Sequence, residues 1–272
     1  MQGRLSPPVA GRIQSFPWGR WEEEFEMAAS LGLAFLEWTL DADRLRENPL
    51  MTSEGRATIE ELSRFHGVGV PSVTGDCFMQ APLWKVTGPG REGLEDDMLA
   101  VLGSCIDAGV SMIVIPLVDG GSIADKSEEQ VLVDFLQRRV TPILGSEMRL
   151  LFESDLGPEQ LGKFMEQLDP VCYGINYDIG NSASLGYNPR DEFRAYGAWI
   201  GNVHVKDRAL AGTTVPLGEG AADFDTVFGE LGQLGYDGNF VLQTARDVGG
   251  DDLGVAARYA SMTEEWIRRH CV

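Results

Sequence analysis

The chain alternates between two hydrophobic periodicities along its whole length. Stretches with apolar residues three or four positions apart are followed, most often after a glycine, by a short apolar run and then polar residues. In residues 94–117 the helical half carries an apolar stripe, Gly109 follows it, and residues 112–117 are apolar throughout. The stripe consists of Leu94, Met98, Val101, Leu102 and Cys105. This pattern predicts an amphipathic helix, a helix end at glycine, and a strand buried on both faces.

Counting the N-terminal residues as a first strand, the alternation predicts eight strands. They are residues 1–5, 34–40, 71–76, 112–117, 149–155, 173–181, 200–208 and 239–246. Strict alternation of strands with helices favours a parallel sheet, and eight units of this size predict an α/β protein built as a single (β/α)8 TIM barrel, one domain over residues 1–272. An open doubly wound sheet is the alternative, and the lack of a GxGxxG motif after the first strand disfavours it.

Composition narrows the function classes. The 272 residues are 43% hydrophobic, and 22 Lys and Arg against 42 Asp and Glu give a formal net charge of −20, which repels nucleic-acid phosphates and anionic membranes. The four cysteines have no CxxC spacing, and the N-terminal residues contain no apolar signal-peptide core. We therefore expect a cytoplasmic protein with reduced thiols that acts on a small molecule, with neither a nucleic-acid nor a membrane partner.

Polar side chains stand near the carboxyl ends of the predicted strands. Active sites of TIM barrels lie at this end, and a polar group inside an apolar strand is costly to bury without a partner. The candidates at this rim are Glu37, Trp38, Asp76, Glu153, Asp178, Asn181, His204, Lys206, Arg208, Gln243 and Arg246. Because the strands of a parallel barrel end at one rim, these side chains are predicted to converge.

Four of these residues are predicted to form a metal site. Glu153, Asp178, His204 and Gln243 fall at corresponding points of the last four strands, and adjacent strands lie only about 4.8 Å apart. Two carboxylates, one imidazole and one amide oxygen suit Mn²⁺, with Mg²⁺ or Co²⁺ as alternatives. The competing interpretation is an internal hydrogen-bond network of the same side chains.

The sequence resembles the xylose isomerase-like sugar isomerases and epimerases, a TIM-barrel superfamily. The resemblance covers nearly the whole chain and rests on residues 1–7, 37–38, 152–153, 177–181, 204–207 and 216–220. It implies that Glu153, Asp178 and His204 bind a divalent metal that holds two substrate oxygens, while proton transfer runs through an enediolate. A sugar or sugar phosphate is the implied substrate, with Glu153 as the base.

One departure from this family leaves the reaction open. The ketose 3-epimerases carry a second glutamate where this chain has Gln243, and an amide cannot accept a proton as a base. This favours a one-base isomerase, although Lys206 could act as a substitute base. A dehydratase of a polyol ketone, or a sugar-binding barrel without catalysis, would use the same site. An abasic-site endonuclease is disfavoured, since three histidines on an acidic chain cannot hold its several zinc ions.

The cations near the mouth bear on the substrate. Arg4, Lys206, Arg208 and Arg246 are predicted to ring an otherwise acidic barrel, which indicates an anionic substrate group such as a phosphate. The alternative is that each cation pairs with a neighbouring carboxylate. The loop at residues 216–220 could offer backbone amides to a phosphate or could simply form a tight turn.

Four further rim residues complete the predicted substrate-binding set: Glu37, Trp38, Asp76 and Asn181. Trp38 could stack on a sugar face, although packing in the core is the commoner role for such a residue. A homodimer or homotetramer is the expected assembly.

Overall fold

The structure, a computed structural model, describes residues 1–2, 5–9, 11–12, 14–145 and 148–271. Within these ranges, seven parallel strands form one sheet in the order β1-β2-β3-β4-β5-β6-β9, and β7 and β8 form an antiparallel hairpin. The strands are β1 Phe35–Thr39, β2 Gly69–Thr74, β3 Met112–Leu117, β4 Arg149–Ser154, β5 Tyr173–Asp178, β6 Ile200–Val205, β7 Asp207–Arg208, β8 Thr214–Val215 and β9 Asn239–Leu242.

The N-terminal residues lie between the two edge strands of this sheet. Gln2 forms a parallel bridge with Glu37 of β1, and its backbone N–H donates to the carbonyl of Leu242 in β9 at 3.1 Å. The predicted TIM barrel is therefore confirmed, as a nearly closed barrel of seven strands with the N-terminus in the eighth position. Of the predicted first strand, Gly3 and Arg4 lie outside the described residues.

Helices follow the strands as the periodicity predicts. They are α1 Glu23–Ser30, α2 Ser53–His66, α3 Asp76–Gln80, α4 Pro89–Asp107, α5 Lys126–Phe135, α6 Pro158–Met165, α7 Ile179–Leu185, α8 Pro189–Tyr196, α9 Phe224–Leu234 and α10 Asp252–His270. Gly109 after α4 has a φ of 70°, the left-handed conformation in which glycine is favoured. None of the helices in the described ranges is sufficiently long and apolar to span a membrane.

Alternation along the strands divides apolar from polar side chains. In β4, Phe152 points outward against Phe164 of α6, while its neighbour Glu153 points into the barrel. In β1, Trp38 likewise packs outward against Phe16 and Trp21. The barrel interior is consequently polar, and the buried polar residues there include Gln2, Glu37, Ser72, Thr74, Glu153, Asn176, Asp178, Asn202, His204 and Gln243. This polar interior leads directly to the candidate site.

Candidate metal centre and substrate cavity

Glu153, Asp178 and His204 come together inside the barrel. Asp178 and His204 are directly paired in the β5–β6 register, and Glu153 stands near the end of the neighbouring β4. His204 Nδ1 lies 3.1 Å from Glu153 Oε2 and 3.8 Å from Asp178 Oδ2. The potential ligand atoms of the three buried side chains all lie within 4.8 Å of one another. Three of the four predicted metal ligands therefore lie close enough together to bind one ion.

The hydrogen bonding of His204 suits a metal ligand. Its Nε2 lies 2.7 Å from Glu37 Oε1, whereas its buried Nδ1 makes no hydrogen bond to any described residue. A divalent metal would bind the neutral form of His204, in which the Nε2 proton is donated to Glu37 and the Nδ1 lone pair faces two carboxylates. A histidine ligand held by a carboxylate in this way is the usual arrangement at protein metal sites. The residues present thus fit a divalent cation.

Neighbouring charges favour the ionised forms of His204 and Asp178 in this cluster. Burial lowers the pKa of His204, but the carboxylate of Glu37, followed by Asp178 and Glu153, outweighs burial and raises that pKa well above its usual value. Burial likewise raises the pKa of Asp178, while the charge of Lys206 and contact with His204 lower it further than burial raises it. The carboxylate of Asp178 therefore remains anionic in an interior that would otherwise disfavour charge.

Glu37 lies beneath the site. Its Oε1 accepts hydrogen bonds from His204 and, at 2.7 Å, from Thr74; its Oε2 accepts from Ser72 at 2.8 Å and Asn202 at 3.3 Å. Glu37 was predicted to bind substrate, but these four partners occupy its carboxylate and it does not line the cavity above. The structure gives it the position of a residue that orients His204.

Two asparagines extend the same network to Glu153. Asn202 Nδ2 donates to Asn176 Oδ1 at 2.7 Å, and Asn176 Nδ2 donates to Glu153 Oε2 at 2.8 Å. Asn181 Nδ2 donates to the other carboxylate oxygen, Glu153 Oε1, at 2.6 Å. Each donor fixes one side of the carboxylate, so Glu153 is held in a single orientation.

The motif at residues 177–181 positions Asp178. Its Oδ1 accepts the backbone N–H of Asn181 at 2.8 Å and so caps the start of α7, which leaves Oδ2 for the site. Lys206 Nζ donates to this Oδ2 at 3.2 Å. A Cβ at Gly180 would stand 2.8 Å from Lys206 Cγ, so glycine there lets the lysine stem pass.

Gln243, the fourth predicted ligand, stands at the same rim. Its Oε1 accepts from Lys206 Nζ at 2.6 Å, and its Nε2 donates to Gln2 Oε1. The amide oxygen that was predicted to meet a metal is thus bound to the lysine. Coordination by Gln243 stays a prediction, and Gln243 Oε1 would have to share its two lone pairs between Lys206 and the metal.

A cavity of about 450 Å³ opens above these residues. Its lining consists of Gln14, Thr74, Asp76, Met79, Pro116, Val118, Asp119, Glu153, Asn181, Lys206, Arg208, Thr213, Thr214 and Gln243. Of the predicted substrate-binding residues, Asp76, Asn181, Lys206 and Arg208 therefore reach the cavity. Trp38 does not: it is buried in the outer aromatic cluster, and its Nε1 donates to Asn48 Oδ1 at 2.9 Å.

The predicted ring of cations is incomplete. Arg246 Nη1 is bound to Asp252 Oδ2 at 2.7 Å and to the Ser6 carbonyl, and Arg246 does not line the cavity. Arg208 lines it, with Nη1 on Asn181 Oδ1 at 2.9 Å and Nη2 on the Gly212 carbonyl at 2.7 Å. Arg4 lies outside the described residues. Lys206 and Arg208 are thus the predicted cations that the structure brings together.

The glycine-rich loop serves a buried aspartate. The backbone amides of Gly218 and Gly220 both donate to Asp207 Oδ2 at 2.9 Å, and that of Ala222 donates to Oδ1 at 3.2 Å. A Cβ on Gly220 would lie only 2.1 Å from Asp207 Oδ1. Of the two uses considered for this loop, the tight turn is the one observed, and these two amides are directed to a carboxylate within the protein.

Sequence reasoning missed several participants, namely Gln14, Thr74, Asn176 and Asn202. A signal for two of them was present: Asn176 and Asp178, like Asn202 and His204, are two positions apart and so share the inner face of their strand. Gln14 precedes every predicted helix and offered no such periodicity. Only the folded chain places it beside Asp76, where its Nε2 donates to Asp76 Oδ2 at 2.7 Å.

Curated relatives are distant and mixed in activity. Residues of this chain are 26% identical over 258 positions to the L-ribulose-5-phosphate 3-epimerase UlaE of Escherichia coli strain K12 / DH10B, covering 91% of this chain and 89% of that enzyme. An inosose dehydratase of Geobacillus kaustophilus is 26% identical over 166 positions, covering 53% of each chain. A second, from Geobacillus thermodenitrificans, is 25% identical, covering 57% of this chain and 59% of the enzyme. This chain therefore matches only somewhat more than half the length of the dehydratases.

Solved structures share the fold. The D-allulose 3-epimerase of Methylomonas sp. superposes with a TM-score of 0.73 at 16% identity, covering 93% of this chain and 94% of that one. A xylose isomerase-like TIM-barrel protein of Mycobacterium smegmatis, solved in complex with magnesium, superposes with a TM-score of 0.68 at 16% identity, covering 99% and 95%. The family model described as xylose isomerase-like TIM barrel matches residues 25–269. With the barrel, the rim cluster and this match together, the chain belongs to the xylose isomerase-like TIM-barrel family.

Proposed function

We propose that this protein is a divalent metal-dependent enzyme that isomerises or epimerises a sugar. The observation that carries the proposal is the cluster of Glu153, Asp178 and His204 at the base of the cavity, with His204 Nδ1 directed at both carboxylates. The epimerases among its relatives support the same reaction class. An oxygen-rich site with one imidazole suits Mn²⁺, with Mg²⁺ or Co²⁺ as alternatives.

Glu153 is the proposed base. Two amide donors, Asn176 and Asn181, hold its oxygens, so the carboxylate is oriented before substrate arrives. It takes a proton from a substrate carbon and returns it to the neighbouring carbon on the same face. When bound, a divalent metal supplies Lewis-acid stabilisation of the negative charge that develops as the proton leaves. In the neutral form of His204 that binds a metal, Glu37 accepts the Nε2 proton and so directs Nδ1 to the site.

Lys206 has a second proposed role in proton transfer. Its Nζ contacts Asp178 and Gln243 and lies in the cavity lining, so it can reach substrate oxygen as an acid. In a reaction between adjacent carbons, a proton must also pass between the two oxygens. Lys206 is the residue proposed to carry this proton, because the amide of Gln243 cannot serve as a base.

Metal content tests the proposal. We expect the purified wild type to contain a divalent metal near one equivalent by elemental analysis and His204→Ala to contain far less, since the variant lacks the imidazole ligand. Phe65→Ala, at a side chain that is 82% exposed on α2, is the control and should retain the metal. Negligible metal in both wild type and His204→Ala, after growth with added Mn²⁺, would sink the proposal.

A dehydratase acting on a polyol ketone is the second candidate. The two inosose dehydratases among the relatives support it, as does Gln243 in place of a second base. Incubation of a ketose panel with the metal-loaded enzyme in deuterated water separates the two reactions. Deuterium in recovered substrate or its isomer without loss of water favours isomerisation, whereas a dehydrated product favours the lyase.

A further inference from the structure

The cavity has two opposite walls. With the N-terminal segment in the eighth position, β2 and β6 are four positions apart around the barrel, so their carboxyl ends face each other across the mouth. Lys206 and Arg208 follow β6, Asp76 follows β2, and all three line the cavity. A substrate above Glu153 therefore meets cations at one end and a carboxyl group at the other.

Asp76 places a buried carboxyl group in the wall of the cavity. Its side chain is only 5% exposed, Oδ2 accepts a hydrogen bond from Gln14 Nε2 at 2.7 Å, and Oδ1 has no partner in the part of the chain that the structure describes. Both oxygens of a buried carboxylate normally accept hydrogen bonds. Burial, followed by the charge of Asp41, raises the pKa of Asp76 to about 7. The ionised form of this lining side chain therefore has one oxygen, Oδ1, available to accept a hydrogen bond from a bound molecule.

The opposite wall offers little for a phosphate. Lys206 is already paired with Asp178, and Arg208 is bound to Gly212 and Asn181. The amides of the glycine-rich loop are directed to Asp207. A bound phosphate usually takes several donors and positive charge from its site, whereas this lining also contains acidic Asp76 and Asp119.

We propose that Asp76 is a specificity-determining residue that accepts hydrogen bonds from substrate hydroxyl groups, and that the substrate is an uncharged polyhydroxy ketone rather than its phosphate ester. The inference rests on the proposed function and names the substrate class of that same site. Adjacent hydroxyl groups donate to a carboxylate well, and a phosphate on that side would be repelled. Gln14 holds the carboxyl group in place.

Wild-type binding gives the first test. Dissociation constants of the metal-loaded enzyme are measured by calorimetry for D-fructose and D-tagatose and for the 6-phosphate of each. We expect each neutral ketose to bind about tenfold more tightly than its phosphate ester, or better, because of like-charge repulsion. Tighter binding of the esters would overturn the inference without any variant having to fold.

Asp76→Asn gives the second test. Losing a charged hydrogen bond should weaken binding of the neutral ketoses by about 10- to 100-fold and reduce the discrimination against the esters. Asp155→Asn is the matched control: it removes a carboxylate from the same rim whose Oδ2 accepts from Ser122 and which does not line the cavity. Neutral-ketose binding to Asp76→Asn as tight as to wild type would refute the role of Asp76.

Failure of this inference can be told from failure of the proposed function. Solvent deuterium exchange into the same four compounds is measured with the metal-loaded enzyme. Exchange into the phosphate esters alone would contradict the assignment of substrate class and leave the isomerase or epimerase function standing. If the protein binds metal but neither binds nor exchanges any ketose or phosphate ester in a wider panel, the proposed function is wrong, and the inference fails with it.

Discussion

Glu37→Gln tests the assignment of Glu37 as the residue that orients His204. The substitution keeps the size of the side chain but removes its charge from a group that is 2% exposed. The amide oxygen of the variant can still accept from His204 Nε2, which lies 2.7 Å from Glu37 Oε1 in the wild type. Its NH₂ group, however, would face Ser72, Thr74 and Asn202, which donate hydrogen bonds to Glu37 in the wild type. Mutating such carboxylate partners of metal-binding histidines costs about 10- to 100-fold in affinity, or about 1.4–2.7 kcal/mol.

The assay is calorimetric titration of Mn²⁺ and Mg²⁺ into chelator-treated protein, with a melting curve for each variant. Glu192→Gln is the matched control, because Glu192 is also buried and accepts from Tyr177, Ser182 and Tyr196, but on the outer side of β5. We expect it to lower the melting temperature and leave metal affinity unchanged. The reasoning is refuted if Glu37→Gln binds metal like the wild type, or if Glu192→Gln loses as much affinity.

Three further predictions concern the same rim. Lys206→Met should tighten metal binding by about fivefold, roughly 1 kcal/mol, because it removes a cation 3.2 Å from Asp178 Oδ2; unchanged titrations would contradict this. Gln243→Glu places a second carboxylate at the rim, so we expect the 3-epimer of a ketose to accumulate by NMR, whereas unaltered product ratios would count against the one-base account. In metal-free protein, the folded state retains the Asp76 proton up to a pKa of about 7, whereas the unfolded chain releases it near 3.8, so the stability of the wild type falls between these pH values. Asp76→Asn has no such proton to lose. Its stability relative to wild type should therefore rise as the pH increases from about 4 to about 8, by at most about 4 kcal/mol. Urea melts at the two pH values that show no divergence would refute the last prediction.

Periodicity was sufficient for the architecture and for half of the site. Helix and strand patterns are local properties, and strict alternation leaves few topologies open, so the barrel and the direction of its strands followed from residues such as Gly109 and the run 112–117. The residue types at the strand ends then indicated which rim carries chemistry. Asp178 and His204 could be paired in advance because both stand at the ends of neighbouring strands.

Contacts between distant segments were beyond the sequence pattern. Glu37 and Trp38 are adjacent in sequence and were assigned the same role, yet the side-chain alternation of β1 sends one to His204 and the other to the outer aromatic cluster. Which carboxylate a cation meets depends on loop paths, so Arg246 could not be assigned to Asp252, nor the loop amides to Asp207, without the fold.

The sequence by itself determined the fold class and the residue types available at the rim, because both depend on short-range periodicity. Only the tertiary structure decided which side chains share a hydrogen bond, since that depends on the register and curvature of strands far apart in the chain. Those contacts place His204 Nδ1 between two carboxylates and bind the Gln243 oxygen to Lys206. Among the described residues they also leave one oxygen of Asp76, a residue of the cavity lining, without a hydrogen bond.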